Sequence, residues 1–411
     1  MPHEEQPVDP AIEDESALPD ADATDAEAAS KQSQPLDPVA EAEAENPNWQ
    51  AEARQYGRIQ LRLDLADVAL DLAYLAVAAF ILARPLDAWL SRAIGIDTLR
   101  LIALYGAVFA LHLLVSLPLS YYSGYVVESR FGLSTLTPGG WLRRYFARMA
   151  MGMLFGLALY LGLFWIIWLV GAWWWVAASL AFFVVTVVVG QLAPVLILPL
   201  LYKVERFEDA DLQERLEALA AGTGLTVEGV YRMGLSAETK KANAMLAGLG
   251  HTRRVLLGDT LLDSFTPREI GVVFAHEIGH HVHRHLPRII LMGALVSGVG
   301  FFIYDRVAAW WVGVSDFGEV AIPVATLPLL MFLPRAFLLL MEPLQNAMMR
   351  HFERQCDWYA LKRTDDREAY LSAFRKLAVL NKDDPDPHPL AVKLFHSHPP
   401  ISQRLAMAEE M

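Results

Sequence analysis

The sequence predicts a mostly α-helical, polytopic membrane protein with about six spans and a soluble module that contains a small β-hairpin. Two observations support this fold class. Apolar residues make up 54% of the 411-residue chain, and the mean hydropathy is +0.30, which is too apolar for an ordinary soluble domain. In addition, six apolar segments alternate with charged connections, and most are long enough to cross ~30 Å of hydrocarbon.

The predicted spans form a group of four and a group of two, with the soluble module between them. The first span is the weakest, because Asp71 and Arg84 shorten its uncharged core, and the fifth is short unless the helix predicted just before it, at His276–His280, continues into it past Pro287. Asp71, His112 and Arg335 are costly beside lipid, so each faces a protein interior or a cavity, or pairs with another helix. The predicted spans are Val68–Leu90, Leu101–Leu119, Met149–Val170, Ala172–Leu200, Ile289–Tyr304 and Val320–Met341.

The first 50 residues form an acidic tail. They contain fourteen Asp and Glu against the single Lys31, so they account for the whole net charge of −13. The tail lacks an apolar core, so no cleavable signal peptide is predicted, and its composition predicts disorder. A solvated, dispensable tail explains it better than a docking segment does. The rest of the chain is near neutral, and no nucleic-acid partner is predicted.

The stretch between the fourth and fifth spans has the patterns of a small mixed module. Residues Asp209–Ala221 have helical periodicity, and Val227–Met233 has the composition of a strand. Asn243–Leu249 and Arg253–Leu257 alternate on either side of a Gly-His turn, which predicts a β-hairpin. Beyond the sixth span, two further amphipathic helices are predicted at Leu344–Leu361 and Arg367–Leu380.

The motif His276–His280, with the sequence HEIGH, indicates zinc peptidase chemistry. On a helix its two histidines lie one turn apart on one face, so both imidazoles reach one zinc ion while Glu277 points at the metal-bound water. The helix itself is predicted by Thr266 as its cap, Pro267 at the first helical position and Glu269 completing a capping box. The alternative is a chance match on a histidine-rich helix.

A catalytic zinc needs a third protein ligand and an open position for water. Glu353 is the candidate, and Asp357 follows it by one helical turn, where a carboxylate can accept the free N–H of a ligand histidine. On the residues alone, a solvated Glu and Asp pair is the better explanation. Cys356 is the only cysteine, which excludes an internal disulfide and a cysteine-rich metal site.

Several other stretches accompany the motif. They are Glu128–Ser134, Asn243-Ala244, Leu257–Leu262, the HEIGHH core, Asn346-Ala347 with Arg350, Glu353 and Asp357, and His398-Pro399-Pro400 followed by Arg404. On this joint pattern, the chain resembles the type I CAAX prenyl protease family of integral-membrane zinc metallopeptidases, from about Tyr121 to Arg404. The combination is far more specific than HExxH alone.

The resemblance implies that His276, His280 and Glu353 hold one zinc ion per chain and that Glu277 is the general base. Such a base takes a proton from the zinc-activated water and returns it to the leaving amine. Asp357 is expected to assist catalysis by orienting a ligand histidine.

The resemblance also implies substrate contacts. Asn243, with Ala244 beside it, falls where the family holds the substrate backbone, and this strand is suited to edge addition of an extended peptide. His398 falls where the family has a histidine that contacts substrate or stabilises the oxyanion; a structural loop histidine is the alternative. Met349 and Cys356 depart from the pattern, since small residues are expected there, and four spans precede the motif where longer eukaryotic members have five.

Four other histidines, at positions 281, 283, 285 and 351, do not belong to the ligand set that the resemblance implies. Solvated or headgroup-facing side chains are the better interpretation of them. Two rival classes remain: an intramembrane metalloprotease with HExxH inside a span, and a non-catalytic metal-binding scaffold or transporter. The hydrophilic approach at Asp263–Glu269 argues against the first, and the intact Glu277 argues against the second.

The chain is therefore divided into a tail (1–50), a four-span region (51–201), a soluble catalytic module (202–288), a two-span region (289–341) and a helical C-terminal segment (342–411). The Lys and Arg bias places both termini and the catalytic module in the cytoplasm, with the cell membrane as the expected location. The expected substrates are lipidated or membrane-associated polypeptides. Membrane-protein quality control without prenyl specificity is the alternative role, and the sequence does not predict an oligomeric state.

Overall fold

A computed structural model describes residues 48–192, 197–225, 229–247, 254–315, 317 and 321–410, with only the backbone at positions 246 and 247. Most of the predicted acidic tail, the start of the predicted strand at Val227 and the hairpin turn at Gly250-His251 lie outside the described residues.

The N-terminal membrane region consists of long helices joined by short turns. The first two helices each pass through a π-helical segment, at Ala78–Leu82 and Tyr122–Val127, before continuing. The helices of this region are α1 Trp49–Val77, α2 Ala83–Leu90, α3 Asp97–Tyr121, α4 Glu128–Arg130, α5 Pro138–Val170, α6 Trp174–Leu192 and α7 Leu198–Leu201.

Five helical stretches in the described part of the chain are long and apolar enough to cross a membrane. One of them, Pro138–Leu192, has 55 residues and would extend for roughly 80 Å if straight, far beyond the ~30 Å of hydrocarbon. It is interrupted at Gly171, where φ is 63°, and α5 and α6 pack against each other. Counted as a hairpin, this stretch gives the six spans that the sequence predicts.

Three ionisable residues inside the spans pair with one another, as one of the two sequence interpretations requires. Arg335 Nε donates to Asp71 Oδ2 at 2.5 Å, and His112 Nε2 lies 3.1 Å from Asp71 Oδ1. These residues come from three different helices. The ion cluster therefore joins the two groups of spans.

The soluble module contains a four-stranded sheet of order β1-β2-β4-β3. Strand β1 is antiparallel to β2, β2 is parallel to β4, and β4 is antiparallel to β3. The predicted hairpin is thus present as β3 and β4, whereas β1 was not predicted. The strands are β1 Val204–Arg206, β2 Gly229–Met233, β3 Ala244–Ala247 and β4 Arg254–Gly258, with helices α8 Ala210–Ala220 and α9 Asp259–Leu262.

The helix that carries HEIGH is α10, Pro267–Val282. It begins as the sequence predicts, because Thr266 and Glu269 form a capping box and Pro267 occupies the first position. Most of its residues from Glu269 to Gly279 are buried, since α8, β3 and two later helices pack around it. This burial restricts the orientation of His276 and Ile278 in the motif, whereas Glu277 and His280 are half-buried.

The remaining helices are α11 His285–Val312, α12 Leu327–Thr364, α13 Arg367–Asn381, α14 Pro389–Leu394 and α15 Ile401–Glu409. Two predictions of the sequence are corrected here. The fifth span is not short, because Pro287 lies in the first turn of α11, where a missing N–H costs little. The sixth span and the following amphipathic helix are one helix of 38 residues, α12, which continues through Pro334 and Pro343; proline is tolerated where neighbouring helices support the chain.

Candidate metal centre

The two histidines of the motif face one carboxylate across a helix crossing. His276 Nε2 lies 3.0 Å from Glu353 Oε2, and His280 Nε2 lies 3.3 Å from Glu353 Oε1. His276 is 6% exposed and Glu353 is 2% exposed. The structure therefore brings together three side chains that are distant in the sequence, with both imidazole nitrogens and the carboxylate meeting in one buried space.

The contacts between Glu353 and the two histidines are possible because α10 and α12 approach each other closely. Gly279 lies between the two histidines, and a Cβ atom added to it would stand only 2.9 Å from Cys356 Cα and 3.1 Å from Cys356 Sγ. Glycine is needed here so that the backbones can approach. A small residue is expected at position 356, where this chain has cysteine, and Gly279 on the facing helix makes the room for it. Glu353 and Asp357 project toward α10 on either side of this contact.

His276 has a charged partner on its other nitrogen. Its Nδ1 lies 2.9 Å from Asp357 Oδ1, and Arg404 Nε donates to Asp357 Oδ2 at 2.9 Å. Burial lowers the pKa of His276, but its close contacts with the carboxylates of Asp357 and Glu353 outweigh burial and raise that pKa to about 9. A proton and a metal ion therefore compete for this imidazole.

Sequence reasoning gave Arg404 no role beyond matching the family pattern. In the structure it is buried, 9% exposed, and its guanidinium stacks 4.0 Å from the centre of the Phe374 ring. Asp357 raises the pKa of Arg404 further above its usual value despite burial. The arginine therefore keeps Asp357 paired when that carboxylate accepts from His276.

His280 has a neutral partner instead. Its Nδ1 lies 3.1 Å from His285 Nδ1, and His285 Nε2 lies 2.9 Å from Gln355 Oε1. The interpretation of His285 as solvated or headgroup-facing is wrong, because this residue is fully buried. The reason is local: Arg284 adopts the left-handed conformation with φ of 55°, and this turn directs the first residue of α11 inward. His351, in contrast, is exposed.

The donor set fits a divalent metal. Among the described side chains, Glu353 Oε2 is one of a few buried atoms that make no hydrogen bond, as expected of an atom whose natural partner is a cation. Two imidazoles and one carboxylate are a common catalytic zinc set. Cys356 also lies within 4.8 Å of both histidines, but its Sγ contacts His285 Nδ1 at 3.7 Å, whereas Glu353 faces both Nε2 atoms.

A cavity of about 460 Å³ opens beside these side chains. Glu277, Asn243, Ala244 and His398 all line it, so every predicted catalytic and substrate-binding residue outside the ligand set borders one space, with the exception of the buried Asp357. His398 Nε2 lies 3.5 Å from Glu353 Oε2, and its side chain is 60% exposed. Glu277 is half-buried on the same side of α10.

Residues preceding β3 are held from several directions. Ala242 N donates to Asn381 Oδ1 at 2.9 Å, and Lys241 Nζ lies 3.0 Å from Glu128 Oε2. Thr260 Oγ1 donates to the Lys241 carbonyl at 2.9 Å. Sequence reasoning singled out Glu128 only as part of a family match; the structure shows that it joins the membrane helices to the cavity wall.

Comparison with known proteins gives a consistent result. Residues 206–411 match the sequence profile of Peptidase family M48. Residues 29–203 match a profile described as the CAAX prenyl protease N-terminal region with five membrane helices; the described part of that stretch forms four when the helix is divided at Gly171.

Individual relatives cover most of the chain. An uncharacterised metalloprotease of Bacillus subtilis, YhfN, is 29% identical over 372 residues, which is 89% of this chain and 86% of that protein. CAAX prenyl protease 1 of Saccharomyces cerevisiae is 29% identical over 324 residues, covering 73% of this chain and 70% of the relative. The crystal structure of Ste24p of S. mikatae has the same fold, with a TM-score of 0.75 at 24% identity over 88% of this chain and 89% of that one.

Proposed function

Because this chain belongs to peptidase family M48, as an integral-membrane metalloprotease related to the CAAX prenyl proteases, we propose that it is a zinc endopeptidase whose ion is held by His276, His280 and Glu353. The observation that carries this proposal is the convergence of both Nε2 atoms on one buried carboxylate, at 3.0 and 3.3 Å. One zinc ion per chain is expected.

A zinc ion bound there supplies Lewis acidity toward a peptide carbonyl and toward water. Glu277, at the cavity wall, accepts the proton from the attacking water and passes it to the leaving amine. His398 Nε2 donates to the oxygen that becomes negatively charged in the transition state. Asp357 holds Nδ1–H of His276, which leaves Nε2 of that ring as the electron-pair donor.

The sheet offers a place for the substrate backbone. Strand β3 is the end strand of the order β1-β2-β4-β3, and Asn243 and Ala244 at its start line the cavity. An extended peptide added along β3 would pass Glu277 and His398. Main-chain pairing of this kind tolerates different side chains, so substrate selection has to come from another feature.

An apolar cavity supports selection for substrates with a hydrocarbon portion. It has a volume of about 670 Å³ and lies between α5, α6, α11 and α12. Leu286, next to the buried His285, and Met349, one turn before Glu353, both line it. We therefore propose that the substrates are lipidated or membrane-associated polypeptides, with prenylated CAAX proteins as one class.

The metal assignment is tested by zinc analysis of purified variants. Glu353→Ala should lose zinc, whereas Glu342→Ala, which removes another glutamate from the same helix, should keep it. Glu277→Gln should keep stoichiometric zinc and lose nearly all turnover, because the base is removed and the ligands remain. Full zinc occupancy in Glu353→Ala would end the ligand assignment.

Substrate class is tested by comparing kcat/KM in liposomes for matched peptides with and without a farnesyl group and for a misfolded membrane segment. Glu277→Gln serves as the blank. The farnesylated peptide should be cleaved most efficiently. Equal cleavage of the soluble, unlipidated peptide would refute the preference for membrane-bound substrates, and preferred cleavage of the misfolded segment would favour a quality-control role.

We also propose that both termini and the module at 202–288 lie on the cytoplasmic side of the cell membrane. The support is the Lys and Arg bias of the connections. Single cysteines introduced at Ser30, at the exposed Asp263 and at Glu409, in a chain without the native cysteine, should be labelled from the same side. Labelling of positions 263 and 409 from opposite sides would contradict this topology.

A further inference from the structure

His285 is a buried polar residue that the proposed mechanism does not use. It is the first residue of α11, and its solvent exposure is 0%. Both ring nitrogens have polar neighbours: Nδ1 lies 3.1 Å from His280 Nδ1, and Nε2 lies 2.9 Å from Gln355 Oε1. Its ring stacks on Phe352 at 4.1 Å with an interplanar angle of 9°.

Gln355, at the end of the series of contacts from His280 through His285, determines which ring nitrogens carry a hydrogen. The carbonyl oxygen of Gln355 only accepts, so His285 Nε2 must carry a hydrogen. In a neutral imidazole the other nitrogen is then an acceptor. His280 Nδ1 therefore donates to His285 Nδ1, and the lone pair of His280 is left on Nε2, the atom that faces Glu353.

We propose that His285 and Gln355 are positioning residues for His280: they fix the tautomer and the ring orientation in which Nε2 binds the metal. The proposal rests on the proposed function, because it takes His280 as a ligand. It gives the two ligand histidines different partners, a charged Asp357–Arg404 pair for His276 and a neutral His285–Gln355 pair for His280.

A purely structural role for His285 makes a different prediction. If the ring only fills space between Phe352 and Cys356, then a phenylalanine of similar shape at position 285 should serve equally well. If the ring acts as a hydrogen-bond acceptor for His280, phenylalanine should fail even though it packs well. The matched substitution at Gln355 is leucine, which keeps approximate size and removes the acceptor, while glutamate keeps an acceptor.

The experiment measures zinc affinity by competition with a chromophoric chelator in detergent-purified protein. His285→Phe and Gln355→Leu should each weaken zinc binding, the first by about 10- to 100-fold, the usual effect of losing an outer partner of a ligand histidine. Gln355→Glu should restore affinity to within a few-fold of the parent. The exposed His351 on α12 supplies the control, because His351→Phe should leave affinity unchanged.

A second readout reports geometry at the metal. In protein loaded with Co²⁺, His285→Phe and Gln355→Leu should change the visible absorption spectrum, since the His280 ring is no longer held. The thermal midpoint of the metal-free variants shows whether each one is folded, and two variants at different positions guard against loss of one of them.

The outcomes separate this inference from the proposed function. Parental zinc affinity and an unchanged Co²⁺ spectrum in either His285→Phe or Gln355→Leu would overturn the positioning role while leaving the zinc site intact. A parent protein that binds no zinc, or full zinc in Glu353→Ala, would refute the proposed function itself, and the positioning role with it.

Discussion

Replacing Gly279 by alanine should damage the metal centre without touching a proposed ligand. The added Cβ would lie 2.9 Å from Cys356 Cα, 3.1 Å from its Cβ and 3.1 Å from its Sγ. Ordinary contact begins near 3.4 Å, so α10 and α12 must separate by about 0.5 Å. The nearest atom belongs to the backbone, so rotation of a side chain cannot relieve the contact. Overpacking of this kind costs ~1–3 kcal/mol.

The displacement acts on the site because the contact lies within it. Glu353 and Asp357 flank Cys356 on α12, and both face histidines on α10. Functional geometry has to be held to about 0.5 Å, so Gly279→Ala should lower zinc affinity at least ~10-fold, a loss comparable to that of an outer-shell partner. The double variant Gly279→Ala/Cys356→Ala should remain impaired, because the contact with Cα persists.

Gly271 gives a matched control on the same helix. Its added Cβ would meet Arg215 Nε at 3.2 Å and Leu219 Cδ1 at 3.3 Å, which are ends of flexible side chains that move at little cost. Gly271→Ala should therefore be neutral or stabilising by up to ~1 kcal/mol through helix propensity. Zinc titration and thermal unfolding of both variants decide the matter. Equal zinc affinity and equal midpoints for the two alanine variants would refute the reasoning.

Three further predictions concern ion pairs outside the metal centre. Lys376→Met should lower the free energy of unfolding by ~3–5 kcal/mol, because the buried carboxylate of Glu269, whose Oε2 lies 2.9 Å from Lys376 Nζ, is left without a counter-ion; denaturant unfolding measures this. Burial raises the pKa of Glu269, but hydrogen bonds from Lys376 and neighbouring groups outweigh burial and lower it. The contribution of ionised Glu269 to the free energy of unfolding is therefore fully present above about pH 4.3, the usual pKa of glutamate, and is lost as pH falls through the lower folded-state pKa. The unfolding curves of the parent and of Glu269→Gln should converge in acid. Lys241→Met removes the ion pair with Glu128 that holds the segment ahead of β3, so it should raise KM for an extended peptide about fivefold, equivalent to ~1 kcal/mol, with little change in kcat; an effect on kcat alone would contradict a role in holding the strand.

Features that depend on neighbours in the sequence could be predicted well. The capping box of α10 needs only Thr266 and Glu269, and the spacing of the histidines needs only helical geometry. The hairpin of β3 and β4 likewise follows from local alternation. These elements are determined by interactions between residues that are close in the sequence, so the sequence alone is enough to predict them.

Features that depend on distant contacts could not be predicted from residues alone. Pro343 signals a helix end, yet α12 passes through it because packing overrides the local preference. Nothing in the sequence pairs Arg404 with Asp357, 47 positions earlier, or turns His285 inward. The candidate role of Glu353 came from family resemblance, and only the crossing of α10 and α12 brings its carboxylate to the histidines.

The length of α12 ties the chemistry to the bilayer. This helix has 38 residues, about 57 Å at 1.5 Å per residue, and its first half is a candidate span while its second half carries Glu353. Lipids of different acyl chain length change the tilt of such a helix, and because α12 continues as one helix through Pro334 and Pro343, a change of tilt in its first half also moves the half that carries Glu353. The position of the Glu353 carboxylate therefore depends on the tilt of a helix that begins in lipid, whereas His276 and His280 lie on α10, which is packed inside the protein. We therefore expect zinc affinity to depend on the thickness of the hydrocarbon layer. Zinc titrations in proteoliposomes made from lipids of increasing acyl chain length would measure this dependence.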